Sequence, residues 1–147
     1  MHKIVFITLF FTLISFNMFS QKKMTWDDFA NVTFQNFYSA AYGEYFLKPT
    51  FGANIKSHEG SKIIIKGYFL DFSIEEDEFY LISKNPRSSC FFCGGAGPES
   101  VIEVVFKQKP KLEMDQIVEI TGTLELNVDD VEHCNYILKE ATARLIQ

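Results

Sequence analysis

The sequence predicts a mainly β fold, a small five-stranded barrel of the OB type with an N-terminal aromatic arm and a short helix. Four segments are rich in β-branched and aromatic residues, and turn residues separate them. Two long segments also carry a glycine in the middle, Gly67 and Gly122. An interior glycine is typical of a bulge or a sharp bend at a barrel corner. Five strands with two such bends favour an OB-type barrel over one half of a flat sandwich.

The N-terminal residues have the pattern of a secretory signal peptide. Lys3 supplies a positive charge, residues 4–19 contain no charged side chain, and Ser20 lies at a plausible cleavage point. A membrane span usually needs about 20 apolar residues, which is more than this run provides. We therefore expect residues 1–20 to be removed and residues 21–147 to form one OB-type domain, periplasmic or secreted. The alternative is an uncleaved N-terminal membrane anchor.

The charge of the chain argues against nucleic-acid binding. The net charge is −5, and removal of residues 1–20, in which Lys3 is the only charged side chain, changes it to −6. Nonspecific nucleic-acid binding depends on lysine and arginine neutralising phosphates. We therefore expect no nucleic-acid partner. The partners that we expect are a metal ion, because of the cysteine loop described below, or a protein in the cell envelope.

The first part of the mature chain predicts a short helix and an aromatic arm. Thr25 and Asp28 have the spacing of a capping box, which starts a helix. Residues 32–51 contain many aromatic side chains at a spacing that fits neither a helix nor a strand. We expect this segment to be an extended arm whose rings pack over the barrel, which is the commoner use of such rings; a ligand-stacking surface is the alternative.

The strands follow in order along the rest of the chain. An acidic turn at 75–78 separates the first two as a hairpin, and Pro110 breaks the chain before the fourth. The fifth is weaker, because its Lys-Glu-Ala stretch also suits a helix. The predicted strands are residues 62–72, 79–82, 101–106, 116–126 and 135–141 or beyond.

The candidate site is a C-x-x-C loop that precedes the third strand. Cys90 and Cys93 can both reach one metal ion, and the glycines that follow permit a tight turn. Zinc takes four nitrogen or sulfur ligands. In an extended strand His133 and Cys134 point to opposite faces, so only one can join the site. We predict His133 as the third ligand, with Glu99 or water completing the shell.

The same cysteines allow two other interpretations. Three cysteines leave one unpaired, and a disulfide could join Cys90 to Cys93, or Cys134 to either of them. The domain would then have a structural or partner-binding role. A redox dithiol is the third interpretation, although Arg87 is the only close cation that could lower a thiol pKa. No protease signature or phosphate-binding loop accompanies these residues, so the sequence does not favour an enzyme.

Several segments together resemble a known family. They are residues 60–68, the loop CFFCG at 90–94, GPES at 97–100, 122–124 and 127–138. This order resembles a family of exported bacterial proteins classified as a domain of unknown function. It is also similar in layout to periplasmic OB-type domains with a cysteine ahead of the third strand, some of which accompany metal-uptake or export systems. The resemblance covers residues 25–141 and implies the fold, an exported location and a link to metals.

Overall fold

The computed structural model describes residues 21–147, and the predicted signal peptide lies outside them. The described chain forms eight strands and two one-turn α-helices, together with three 3-10 helices between β5 and β6. In chain order the strands and α-helices are β1 (Lys22–Lys23), α1 (Trp26–Phe29), β2 (Val32–Ser39), β3 (Glu44–Phe51), α2 (Ala53–Lys56), β4 (Lys62–Asp71), β5 (Tyr80–Ser83), β6 (Val101–Phe106), β7 (Ile117–Leu126) and β8 (Tyr136–Leu145).

Five of these strands close into a barrel. The sheet order is β4-β5-β6-β8-β7, and β7 pairs again with β4. β6 and β8 run parallel, whereas the other neighbouring barrel strands are antiparallel. The first, second, third, fifth and fourth barrel strands therefore follow one another around the barrel, as in an OB fold. The predicted OB-type barrel is confirmed.

Alternation of side chains builds the core. Along β4, Ile63, Ile65 and Phe69 point inwards and are almost completely buried. Helix α1 lies against this core, and the hydroxyl of the fully buried Tyr136 donates to the backbone carbonyl of Phe29 at 2.7 Å. Alternate side chains of a strand lie on the same face of the sheet, so every second residue of β4 faces the barrel interior.

The short helix begins at the predicted capping box. The backbone amide of Thr25 donates to the Asp28 carboxylate at 2.8 Å, and the Thr25 hydroxyl lies 3.0 Å from the same oxygen. Satisfying the free amides of the first turn stabilises a helix that would otherwise be too short to form. The predicted short helix is confirmed.

Both mid-strand glycines lie where another strand comes very close. A Cβ atom on Gly67 would lie 2.5 Å from the backbone oxygen of Ser83, and one on Gly122 would lie 3.0 Å from that of Lys139. Neither glycine has a positive φ. The β7–β8 pairing shifts register at Gly122, between Thr121 and Thr123. Close approach of neighbouring strands, not backbone handedness, is therefore the reason for glycine at both positions.

The aromatic segment differs from the prediction. It is an antiparallel hairpin of β2 and β3, and their register runs from Val32 opposite Phe51 to Ser39 opposite Glu44. Many of its rings remain exposed, including Tyr45 at 74%. The predicted packing of rings over the barrel holds for Phe51, which is buried in the core, but not for the exposed rings. Aromatic residues occur on both faces of the hairpin, which hides the period-two pattern of a strand.

The last strand continues past residue 141, which the prediction of 135–141 or beyond allows. It begins at Tyr136 and continues to Leu145, opposite Val118 of β7. Glu140 has a φ of 52° within the stretch that suits a helix, so the chain passes an irregularity there and then continues as strand. Pairing with β7 overrides the local helix preference. In residues 21–147 there is no helix of the length and apolarity that a membrane span requires.

Candidate functional site

The thiol loop, residues 84–100, connects β5 to β6. Two of its three 3-10 helices, Arg87–Ser89 and Phe91–Cys93, flank Cys90. The backbone carbonyl of Cys90 accepts hydrogen bonds from the amides of Cys93 at 3.1 Å and Gly95 at 3.2 Å. This turn brings the sulfur atoms of Cys90 and Cys93 to 3.7 Å from each other.

Glycines make this turn possible, as the sequence predicts. Gly94 ends the helix Phe91–Cys93 with a φ of 76°, a conformation that residues with a Cβ atom rarely adopt. At Gly95 the backbone passes so close to Ser89 that a Cβ atom would lie 2.5 Å from its carbonyl oxygen. The loop can therefore close around the two thiols only with glycine at these positions.

The two thiols lie in different environments. Cys90 is fully buried with Leu70 and Leu81, whereas Cys93 is exposed, and both are free thiols. A hydrogen bond shared with Cys90 raises the pKa of the Cys93 thiol above its usual value. A catalytic redox thiol needs a pKa below the usual value, so that it is a thiolate at neutral pH. The electrostatics of the loop therefore do not favour an activated dithiol.

A buried carboxylate anchors the second loop of the site, residues 127–135, between β7 and β8. Glu103 of β6 is only 6% exposed. One of its oxygens accepts the backbone amide of Cys134 at 3.0 Å, and the other lies 2.8 Å from Nδ1 of His133. This hydrogen bond, followed by the charge of Glu103, raises the pKa of His133. The imidazole is half exposed, so it stays in contact with solvent.

Asn127 fixes the shape of the same loop. Its side-chain amide donates to the backbone carbonyls of Asp130 at 2.6 Å and Cys134 at 3.2 Å. Its side-chain oxygen accepts the backbone amide of Asp130 at 3.0 Å. Several bonds from one side chain hold the loop in a single conformation, as an Asx turn does.

The structure brings together two of the three predicted metal ligands. Cys90 and Cys93 are adjacent, but the ring of His133 is hydrogen-bonded to Glu103. Among residues 21–147, no group of three His, Cys, Asp or Glu side chains has an arrangement that could hold a metal ion. As described, the site therefore offers two thiols and no third protein ligand.

The expectation that His133 and Cys134 diverge agrees with their contacts. His133 contacts Glu103, whereas Cys134 packs against the cluster formed by Leu70, Leu81 and Cys90. Burial raises the pKa of Cys134 to about 12, so its thiol stays protonated. The apolar character of free cysteine was the available signal that this side chain would point inwards.

The hairpin, the thiol loop and the 127–135 loop enclose a groove. The sequence indicates its aromatic hairpin side as an alternative ligand surface but does not indicate the two loops that enclose it. The volume of the groove is about 820 Å³. Two polar contacts connect the hairpin to the opposite wall: Lys48 to Asp129 at 2.6 Å and the Tyr42 hydroxyl to Glu132 at 3.0 Å. The aromatic residues that line the groove are Phe37, Tyr45, Phe46, Phe79, Phe91 and Phe92.

Comparison with known proteins places this architecture in a class. The structure is similar to the crystal structure of a DUF3299 family protein from Pseudomonas aeruginosa, with a TM-score of 0.56 and 11% sequence identity. The similarity covers 87% of this chain and 97% of the other. At this identity the likeness shows a shared fold. No protein-family model matches the chain, and no curated protein matches it significantly. The chain is thus an OB-type barrel protein with the fold of a bacterial domain of unknown function.

Proposed function

We propose that this protein is an exported binding module that holds a thiophilic metal ion such as zinc between Cys90 and Cys93. The observation that carries the proposal is the 3.7 Å separation of their sulfur atoms. In a tetrahedral site with Zn–S bonds of about 2.3 Å, two thiolate sulfurs lie about 3.8 Å apart. The backbone of the thiol loop is therefore already folded to the spacing that a shared ion requires.

The environments of the two thiols suit a site that is fixed and yet open to ions. Cys90 is buried in an apolar cluster that restricts its side chain. Cys93 is exposed, which leaves a path for an ion and for water as a further ligand. For His133 to become a third ligand, as the sequence predicts, its ring would have to exchange the Glu103 carboxylate for the ion.

Protons compete with the ion for the same sulfur atoms. The pKa of Cys93 is raised by its hydrogen bond with Cys90, so the thiol is protonated at neutral pH. Binding of a metal ion by thiolates releases these protons. Affinity should therefore fall as the pH is lowered.

The test is zinc binding by the reduced full chain in competition with a chromophoric chelator. We expect one zinc ion per chain, and we expect Cys90→Ser and Cys93→Ser each to weaken binding at least about tenfold, because each removes a thiolate ligand. Cys134→Ser is the matched control and should retain affinity. His133→Ala should weaken binding if the ring is recruited. Wild-type binding no tighter than that of the Cys90→Ser/Cys93→Ser double variant would disprove the proposal.

A disulfide between Cys90 and Cys93 is the second candidate, with a structural or partner-binding role for the domain. The short distance between the sulfurs favours it, since disulfides form and persist in oxidising compartments. Intact-mass analysis separates the two candidates after alkylation in denaturant with a chelator and without reductant, because the buried thiols and any metal-bound thiols can then also react. Three alkylated cysteines in protein taken from its native compartment support the metal site, whereas one alkylated cysteine supports the disulfide.

Export is part of the proposal and is tested separately. Its support is the uncharged run of residues 4–19 behind Lys3. We expect the mass of the exported protein to correspond to a chain that begins near Gln21. A mass that includes residues 1–20 would contradict cleavage and favour the membrane anchor.

A further inference from the structure

We propose that the groove between the β2–β3 hairpin and the barrel binds a basic, apolar peptide segment of a partner protein. The inference does not require a bound metal ion, because neither Cys90 nor Cys93 lines the groove; His133, the predicted third ligand, does line it. It rests on three features of the groove: its aromatic lining, its uncompensated negative charge, and the free edges of the hairpin.

The lining provides the apolar part of the site. Six aromatic rings face a space of about 820 Å³, which lies within the usual range of about 300–1,000 Å³ for ligand sites. Tyr45 is 74% exposed and Phe92 is 52% exposed. Large apolar groups that remain exposed side by side mark interaction sites more often than they mark ordinary surface.

The opposite wall carries more negative than positive charge. It presents Asp129, Asp130 and Glu132, of which Asp129 is paired with Lys48. His133 also lines the groove, and its ring is paired with Glu103. Glu132 accepts a hydrogen bond from Tyr42, and Asp130 accepts the backbone amide of Glu132. These donors are neutral, and no ion pair in residues 21–147 involves either carboxylate. Carboxylates attract an organic cation by charge. The aromatic faces on the other side of the groove attract the same cation by cation–π interaction.

A peptide fits these features better than a small amine. The exposed apolar surface continues beyond the groove through Tyr38, which does not line it. In addition, β2 and β3 pair only with each other in the described part of the chain, so the outer edge of each strand has free backbone groups. An extended peptide can add to such an edge while its side chains enter the groove.

The same charge argues against other macromolecules. Exposed carboxylates repel the phosphates of nucleic acids. They also repel anionic lipid headgroups. A polypeptide that alternates lysine or arginine with apolar side chains has both the charge and the surface that the groove complements.

Fluorescence anisotropy with a dye-labelled hexapeptide of alternating lysine and phenylalanine tests the proposal. The glutamate–phenylalanine counterpart has the same apolar content and the opposite charge. We expect the basic peptide to bind and added salt to weaken its binding, and we expect the acidic peptide not to bind. The full chain is used with its thiols reduced and with a chelator present, so that the result does not depend on the metal site.

Two pairs of variants connect binding to the groove. Asp130→Asn/Glu132→Gln keeps the hydrogen-bond acceptors and removes two charges, and should weaken binding of the basic peptide roughly fivefold. Glu59→Gln/Glu113→Gln is the control on exposed carboxylates outside the groove.

The second pair tests the aromatic lining. Tyr45→Ala should weaken binding at least about fivefold, because truncation of an aromatic anchor removes most of its contact. Its control is Ile74→Ala, since Ile74 is equally exposed at 74% and does not line the groove.

Several results would overturn the inference. Equal binding of the two peptides, or losses no larger in the groove variants than in their controls, would show that the groove is not a basic-peptide site. Competition by arginine amide alone at concentrations equal to those of the peptide would identify a small-cation site instead. Sedimentation of a dimer that the Tyr45→Ala variant abolishes would assign the surface to a second copy. Binding to vesicles of anionic phospholipid would assign it to a membrane.

Discussion

Replacement of Glu103 by alanine should destabilise the protein and release the 127–135 loop. Glu103 lies on β6 and is 6% exposed. Its carboxylate accepts the Cys134 amide at 3.0 Å and lies 2.8 Å from Nδ1 of His133. Alanine removes both interactions and leaves the amide without its partner. One wall of the groove and the position of Cys134 therefore depend on this carboxylate together with the Asn127 hydrogen bonds.

The two interactions differ in strength, and their difference sets the expected effect. A hydrogen bond to a charged group contributes about 1.5–3 kcal/mol, and this range applies to the amide of the partly buried Cys134. The pair with His133 is half exposed on the histidine side, so solvent screening limits it to less than about 1 kcal/mol. Removal of a buried carboxylate also relieves its desolvation cost. The net loss for Glu103→Ala should be about 2 kcal/mol, most of it from the amide.

Urea denaturation at pH 6 measures this loss. Glu103→Gln keeps an acceptor for the amide and should lose about half as much, because the charge alone is removed. Glu113→Ala replaces an exposed carboxylate outside the loop and is the control. Hydrogen exchange should also become faster at the amide of Cys134. A Glu103→Ala protein whose free energy of unfolding stays within about 0.5 kcal/mol of wild type would refute the reasoning.

Three further predictions concern stability. Gly67→Ala should lower the free energy of unfolding by about 2 kcal/mol or more, because its Cβ would lie 2.5 Å from a backbone oxygen of β5; an unchanged melting temperature would contradict the close approach. The pKa of Asp28 is lowered chiefly by the backbone amide of Thr25, so its contribution is present above pH 3.8 and is lost as the pH falls through the lower folded pKa. Asp28→Asn should abolish that acid-side loss in denaturation curves from pH 6 to pH 2, and an unaltered pH profile would count against it. The pKa of His133 is raised by Glu103, so its contribution is complete below pH 6.5 and is lost as the pH rises through the higher folded pKa. His133→Gln should remove that alkaline-side loss, and a profile identical to that of wild type would disprove the link.

Much of the barrel could be predicted from sequence, because the residue composition of each strand is itself enough to identify most of the strands. Strands β4 and β7 have clear β composition, and each carries a glycine at a point of close strand approach. The end of β8 could not be predicted, because it depends on a partner strand and not on the Lys-Glu-Ala stretch itself. The strands of the β2–β3 hairpin were not predicted for a related reason. The hairpin has aromatic rings on both faces, so it lacks the one-sided pattern that identifies a half-buried strand.

The candidate site was predictable only in part. The C-x-x-C turn is a local feature, and the structure places its two sulfurs together. The partner of His133 was not predictable, because Glu103 lies on another strand and becomes its neighbour only when β6 pairs with β8. The groove has the same origin, since the hairpin and the 127–135 loop meet through contacts such as that of Lys48 with Asp129. Long-range pairing, which single-sequence patterns do not encode, determines both.

Zinc K-edge X-ray absorption of the zinc-loaded, reduced protein tests the central claim most directly, because it counts the sulfur atoms bound to the ion. We predict two sulfur neighbours at about 2.3 Å in the wild type and in Cys134→Ser. Cys90→Ser and Cys93→Ser should each remove one of them. A shell that contains only nitrogen and oxygen, or a sulfur signal that persists in the Cys90→Ser/Cys93→Ser double variant, would contradict a metal site at the thiol loop.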